Sequence, residues 1–79
     1  MTLEELNKVT WVFVAHMSME KEHLLTYRSK KTGRLGFCQH TKRKKNGDFG
    51  KSYRHYRFDN KYFETLEEFL EAIKDFNEE

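Results

Sequence analysis

The strongest constraint on the fold is an apolar stripe near the end of the chain. Its members follow the i, i+3, i+4, i+7 spacing of one helical face, and they are Leu66, Phe69, Leu70, Ile73 and Phe76. Thr65-Leu66-Glu67-Glu68 has the S/T-x-x-E pattern that caps a first helical turn. These patterns predict a helix over residues 66–77. Because the chain has only 79 residues, this stripe has to cover a large part of a small core.

The middle of the chain shows the two-residue alternation of strands. Residues 10–17 carry apolar side chains on both faces, which predicts a central strand. Residues 24–31 and 35–44 predict a second and a third strand, joined by a turn at Gly33. The Asn46-Gly47 pair is a tight-turn signal because both residues tolerate positive φ angles, and a fourth strand follows over residues 51–58.

A second capping pattern, Thr2-Leu3-Glu4-Glu5, predicts a short helix at the start. The expected fold is therefore α+β, a small two-layer sandwich forming a single domain over residues 1–79. It consists of a short N-terminal helix, a meander sheet of three to four antiparallel strands and a C-terminal helix packed on one sheet face. The helix should pack on Leu35, Phe37, Tyr56 and Phe58. Its acidic residues should point mostly away from the sheet, and they are Glu67, Glu68, Glu71, Asp75 and Glu78.

The charge of the chain is unevenly distributed along its length. Residues 28–57 contain eleven basic residues and one acidic residue, a balance of +10. Residues 58–79 contain two basic and eight acidic residues, a balance of −6. The formal net charge of +2 therefore hides a dipole, and its positive segment should attract polyanions.

Strand alternation gives the basic segment a face of its own. If Leu35 and Phe58 face the helix, the opposite face carries Cys38, His40, Lys42, Tyr53, His55 and Arg57. Cations neutralise phosphates, and aromatic or guanidinium planes stack on unpaired bases. The pattern predicts a non-enzymatic module that binds RNA or single-stranded nucleic acid on this face and on a basic hairpin, Lys42–Lys45. The expected contacts are Arg28, Lys30, His40, Lys42, Arg43, Lys44, Lys45, Tyr53, Arg54, His55 and Arg57.

Two other interpretations of the charge remain open. The basic face could be an ordinary solvated sheet face whose lysines protect an edge from aggregation. Alternatively, the chain could be a small inhibitor or adaptor, similar in style to phage-encoded proteins that act on host defence enzymes or toxins. It would then bind a nucleic-acid-processing host protein through the basic face or the acidic helix.

The sequence also indicates the compartment. Its N-terminus is acidic where a secretory signal would be basic, and no apolar run approaches the roughly 18 residues of a membrane span. The single cysteine, Cys38, excludes an internal disulfide and suits a reducing environment. We expect a cytoplasmic protein with no membrane association.

Few features indicate cofactor or catalytic chemistry. Cys38 and His40 place two ligand types on one strand face, but zinc sites normally take four ligands from paired segments, and no second pair is spaced for one. The glycines form no nucleotide-binding loop. A nuclease-like pair of His40 and His55 is chemically possible, yet short basic sheets favour binding. We expect no cofactor, no metal, no small-molecule substrate and no enzymatic activity.

Three features of the sequence resemble known families. The order helix, three strands, helix resembles the double-stranded-RNA-binding domain, although the last helix begins with Thr65-Leu66-Glu67-Glu68 where that family carries lysines. Residues 61–68 resemble the strand-to-helix junction of Apetala-2-type DNA-binding domains. Residues 24–29, 51–58 and 63–69 resemble pieces of the Src-homology-2 domain, in which Arg28 would hold a phosphate. None of the three resemblances assigns a site here.

Overall fold

In the described part of the chain, five antiparallel strands form one sheet, with two short helices at one end of it. The computed structural model describes residues 1–46 and 48–78. The elements are α1 (Leu3–Leu6), β1 (Trp11–Ser18), β2 (Glu22–Ser29), β3 (Leu35–Arg43), β4 (Phe49–Phe58), β5 (Lys61–Phe63) and α2 (Leu66–Ala72). Each strand pairs with its neighbour in sequence, in the order β1-β2-β3-β4-β5. The predicted α+β class and the meander are confirmed, with one strand more than expected.

The additional strand is β5, which pairs with β4 through a two-residue turn at Asp59 and Asn60. Asp59 has a φ of 52°, a left-handed conformation that aspartate tolerates better than most residues. A turn without glycine and a strand of three residues give little sequence signal. The Asn46-Gly47 turn lies partly outside the described residues, because Gly47 is not among them.

Both predicted helix caps are formed. Thr2 and Glu5 make the full reciprocal capping box, and the Thr65 hydroxyl accepts a hydrogen bond from the backbone N–H of Glu68. Helix α2 is shorter than predicted because Ile73, with φ −102° and ψ 8°, already leaves the helical conformation. No basic residue in the last turn complements the negative end of the helix dipole.

The core lies between α2 and one end of the sheet. Leu6, Leu35, Phe69 and Ile73 are buried, and the Tyr56 ring stacks on Phe69 at a centroid distance of 4.9 Å. Because the molecule measures 44 × 22 × 22 Å, the long strands extend beyond these short helices. We call the side of the sheet under α2 the helix face and the opposite side the open face. Among the described residues, no helix is long and apolar enough to cross a membrane.

Two expectations are wrong. Strand β1 lies at the edge of the sheet, paired with β2 alone, and its side chains Phe13, Val14 and Met17 are exposed. The apolar residues on both faces of β1 therefore do not mean that both faces of this strand are buried. Glu78 does not point to solvent either. It is buried, and its Oε1 atom accepts hydrogen bonds from the backbone N–H groups of Lys31 and Thr32, at 3.2 and 3.3 Å.

Candidate nucleic-acid interface

Strand register brings most of the predicted site residues onto the open face. In the β3–β4 ladder, Cys38 lies opposite His55 and His40 lies opposite Tyr53, so these four side chains share that face. Arg28 on β2 belongs to it as well, since it pairs with Gly36. The helices occupy the other side, and the open face is therefore uncovered along the described strands.

Four rings form a continuous row across the open face. Tyr53 stacks on His40 with centroids 4.5 Å apart and planes 4° from parallel. His40 contacts His55 at 4.7 Å, and His55 meets Tyr62 edge-on at 6.1 Å. We call these four residues the ring row. The outer members of the row are exposed, Tyr53 by 49% and Tyr62 by 69%, so two aromatic surfaces face solvent.

Tyr62 is a member of the row that the sequence interpretation missed. It lies on β5, opposite Arg57, and reaches the open face only because this short strand pairs with β4. The alternation in Lys61-Tyr62-Phe63 is the one signal that could have found it.

The inner part of the ring row is held by polar contacts. His40 Nε2 and His55 Nδ1 are 2.7 Å apart, which makes one a donor and the other an acceptor. Burial lowers the pKa of His55, and the neighbouring charge of His40 lowers this pKa further, against an opposing effect of Glu64. His55 therefore favours its neutral form, which suits hydrogen bonding or stacking over phosphate neutralisation.

The cations around the ring row are exposed. Arg28, Lys42 and Lys51 belong to the strands of the open face, and Lys44 and Lys45 lie where β3 turns toward β4. Within residues 1–46 and 48–78, the ion pairs join Arg34 to Asp59 and Lys74 to Glu71, and a Glu22 carboxylate oxygen lies 3.6 Å from His40 Nδ1. None of these five cations takes part in them. We call Arg28, Lys42, Lys44, Lys45 and Lys51 the free cations.

Arg57 is on the open face, but backbone groups occupy its guanidinium. Nη1 donates to the carbonyl of Asp59 at 2.7 Å, and Nη2 donates to that of Gly33 at 2.9 Å. The side chain lies across Gly36, where an added Cβ would come within 3.0 Å of the guanidinium. Arg57 therefore ties the β2–β3 turn to the sheet.

Three other predicted contacts lie away from the open face. Arg54 is on the helix face, its guanidinium 4.4 Å from the centre of the Phe37 ring. Arg43 is also on that side, where it donates to the Ser18 hydroxyl at 2.6 Å. Lys30 follows the end of β2 and lines a pocket with Met1 and Glu78 at the helix end of the sheet.

A second histidine pair lies at the far end of the helix face. His16 Nε2 and His23 Nδ1 are 2.8 Å apart with their rings stacked, and Arg43 contacts the other ring nitrogen of His23. Burial lowers the pKa of His23, and the charges of Arg43 and His16 lower it further. A bulge in β1 between Phe13 and Ala15 changes the alternation and puts His16 on this face.

Comparisons with known protein families, curated proteins and solved structures find no match to this chain. The basis for assigning a ligand is therefore the open face itself.

Proposed function

We propose that this chain is a non-enzymatic module that binds RNA or another single-stranded nucleic acid on its open face. The supporting observation is the ring row, which exposes Tyr53 and Tyr62 beside the free cations. A base stacked on an aromatic side chain contributes about 1–3 kcal/mol, and any base can stack. Such a surface favours unpaired bases, since the rings of a duplex are covered by their neighbours.

The free cations supply the second part of the proposal. Lys42, Lys44, Lys45 and Lys51 are grouped at the end of the sheet where β3 and β4 are joined, and Arg28 lies on β2. A single-stranded nucleic acid whose bases stack on Tyr53 would hold its phosphates near these cationic side chains. The exposed acidic residues Glu67 and Glu71 lie on α2, across the sheet from this surface. Repulsion from that side would orient a polyanion toward the open face.

The stacking contribution can be measured by fluorescence anisotropy with a labelled single-stranded RNA. Tyr53→Ala and Tyr62→Ala should each weaken binding by about 5- to 150-fold, the equivalent of one lost stack. Phe13→Ala removes an aromatic ring of similar exposure on β1 and serves as the matched control. Absence of binding at low salt, or an equal loss in the Phe13 variant, would contradict the proposal.

The non-enzymatic assignment has a direct check in the same samples. The bound RNA should remain intact after long incubation near neutral pH. The proposal gives His40 and His55 a role in binding RNA and no role in transferring protons. Cleavage that His55→Ala abolishes would instead make the two histidines a general acid–base pair. The proposal includes a cytoplasmic location, because a chain with a single cysteine, Cys38, suits a reducing compartment.

A protein-binding inhibitor or adaptor is the second candidate, and strand β1 favours it. Residues 9–18 contain no Asp, Glu, Lys or Arg, although an exposed edge usually carries a charge that blocks pairing. A strand from a nucleic-acid-processing host protein could extend the sheet there. In a pull-down from nuclease-treated lysate, a partner lost on Val14→Lys would support this candidate. Loss of all partners after nuclease treatment would support RNA.

A further inference from the structure

Three possible metal ligands meet at the centre of the open face. Sγ of Cys38 and one ring nitrogen each of His40 and His55 all lie within 4.8 Å of one another. His40 Nε2 and His55 Nδ1 are 2.7 Å apart. A tetrahedral Zn²⁺ with bonds of about 2.0–2.3 Å needs donor atoms roughly 3.3–3.6 Å apart. Side-chain shifts on the order of 1 Å would bring the three donors to that spacing.

The remaining nitrogen of His40 supports this arrangement. Nδ1 is buried without a hydrogen-bond partner and lies 3.6 Å from a carboxylate oxygen of Glu22. That distance is too long for a good hydrogen bond, so the polar atom is otherwise unexplained. Histidines that ligate metals commonly donate their other ring N–H to a carboxylate, which fixes the tautomer and raises ligand basicity. With Nε2 on a metal, Nδ1 carries the proton and faces Glu22.

Cys38 is placed to act as a thiolate ligand. Its sulfur is partly buried and accepts a hydrogen bond from the Thr26 hydroxyl, with the two atoms 3.7 Å apart. The thiolate is the form of cysteine that binds metals. A pocket of about 260 Å³ beside Cys38 and His55 also includes Arg57 and Tyr62 in its lining. It leaves room for a water or ligand atom at a fourth coordination position.

We propose that Cys38, His40 and His55 form a binding site for one Zn²⁺ ion, with Glu22 orienting His40. One thiolate and two imidazoles favour zinc over magnesium or calcium, which prefer oxygen ligands. This proposal departs from our expectation of no metal. That expectation counted ligands along the chain, whereas the third ligand arrives from β4 through the pairing of Cys38 with His55.

Cobalt is the appropriate spectroscopic probe, since Co²⁺ replaces Zn²⁺ and is coloured. Titration of the full chain should show one equivalent bound, with a thiolate-to-cobalt charge-transfer band that Zn²⁺ removes. Cys38→Ser should abolish the band, and His55→Ala should prevent saturation at one equivalent. Glu22→Gln should weaken Zn²⁺ binding by about 10-fold, as expected for loss of a carboxylate behind a ligating histidine.

The second histidine pair provides the matched control. His16 and His23 have nearly the same spacing, 2.8 Å, but their contacts include no thiol, so His16→Ala should leave the cobalt band unchanged. A missing band, a band that survives Cys38→Ser, or equal losses from His16→Ala and His55→Ala would overturn the site.

A measurement on the unmodified chain covers variants that fail to fold. One equivalent of Zn²⁺ should protect Cys38 from alkylation by iodoacetamide, whereas Mg²⁺ should not. Equal alkylation rates with and without Zn²⁺ would also overturn the proposal. No nucleic acid is present in these assays, so their failure and the failure of RNA binding are separate results.

Discussion

The salt dependence of RNA binding is the sharpest quantitative test of the open face. For single strands, the slope of log K against log salt is about −0.7 for each phosphate neutralised. The five free cations therefore predict a slope of roughly −3.5 if each meets one phosphate. Between 50 and 200 mM salt, the affinity should fall by about 100-fold.

The slope also separates the structure-based contacts from the sequence-based ones. The eleven residues expected from the sequence include eight cations, which would give a slope of roughly −5.6. Four of those eight lie off the open face or have an occupied guanidinium, namely Lys30, Arg43, Arg54 and Arg57. The structure instead adds Lys51. A measured slope near −3.5 therefore agrees with the structure. A slope near −5.6 would mean that Arg43, Arg54 and Arg57 leave their partners in the protein and contact phosphates.

Fluorescence anisotropy with a labelled single-stranded RNA at four or more salt concentrations gives this slope. Replacing Lys44 and Lys45 together by alanine should reduce its magnitude by about 1.4. Replacing Lys8 and Lys61 by alanine removes the same formal charge elsewhere and should leave the slope unchanged. A slope near zero, or the same change in both double variants, would refute the assignment of phosphates to this surface.

Three further predictions concern the fold. Phe69→Ala removes a fully buried ring and should cost about 3–5 kcal/mol in urea unfolding, whereas Phe13→Ala should cost little. Gly36→Ala places a Cβ 3.0 Å from both the Arg57 guanidinium and the Tyr27 carbonyl, so it should destabilise the chain by about 1–3 kcal/mol in the same assay. Because the pKa of His23 is lowered in the folded chain, His23 of the unfolded chain is protonated first as the pH falls. The stability that His23 contributes is thus present above about pH 6.5 and lost as pH falls below it, and His23→Gln should flatten this part of a stability–pH profile. A larger cost for Phe13→Ala than for Phe69→Ala, an unchanged Gly36 variant, or identical pH profiles would contradict these expectations in turn.

The sequence predicted the fold class because its strongest signals are local. The stripe around Phe69 and the cap at Thr65 each depend on residues within a few positions. The position of β1 could not be predicted in the same way, since a strand with apolar residues on both faces looks the same at a sheet centre and at an exposed edge. Edge and centre are decided by which strands pair, and that depends on distant residues.

The candidate site shows the same division between local and distant information. Alternation alone placed His40 and His55 on one face, because the period of a strand is fixed. It could not show that Arg57 lies across Gly36, or that Arg54 lies over Phe37. Those arginines look identical to free cations in the sequence, and only the neighbours across the sheet reveal that their guanidinium groups are occupied.

The proposed metal site and the proposed RNA surface share His40 and His55, so one should modulate the other. Zn²⁺ brings a charge of +2 and, by displacing the thiol proton of Cys38, adds a net charge of about +1 at the centre of the ring row. One extra positive charge should steepen the salt slope by roughly 0.7. The ion would also hold the His40 ring, and with it the stacking partner of Tyr53, in one orientation. Saturating Zn²⁺ should therefore raise the RNA affinity of the unmodified chain at low salt and leave that of Cys38→Ser unchanged. An equal effect on both proteins would mean that zinc acts on the RNA or elsewhere on the protein, and the two sites would then be independent.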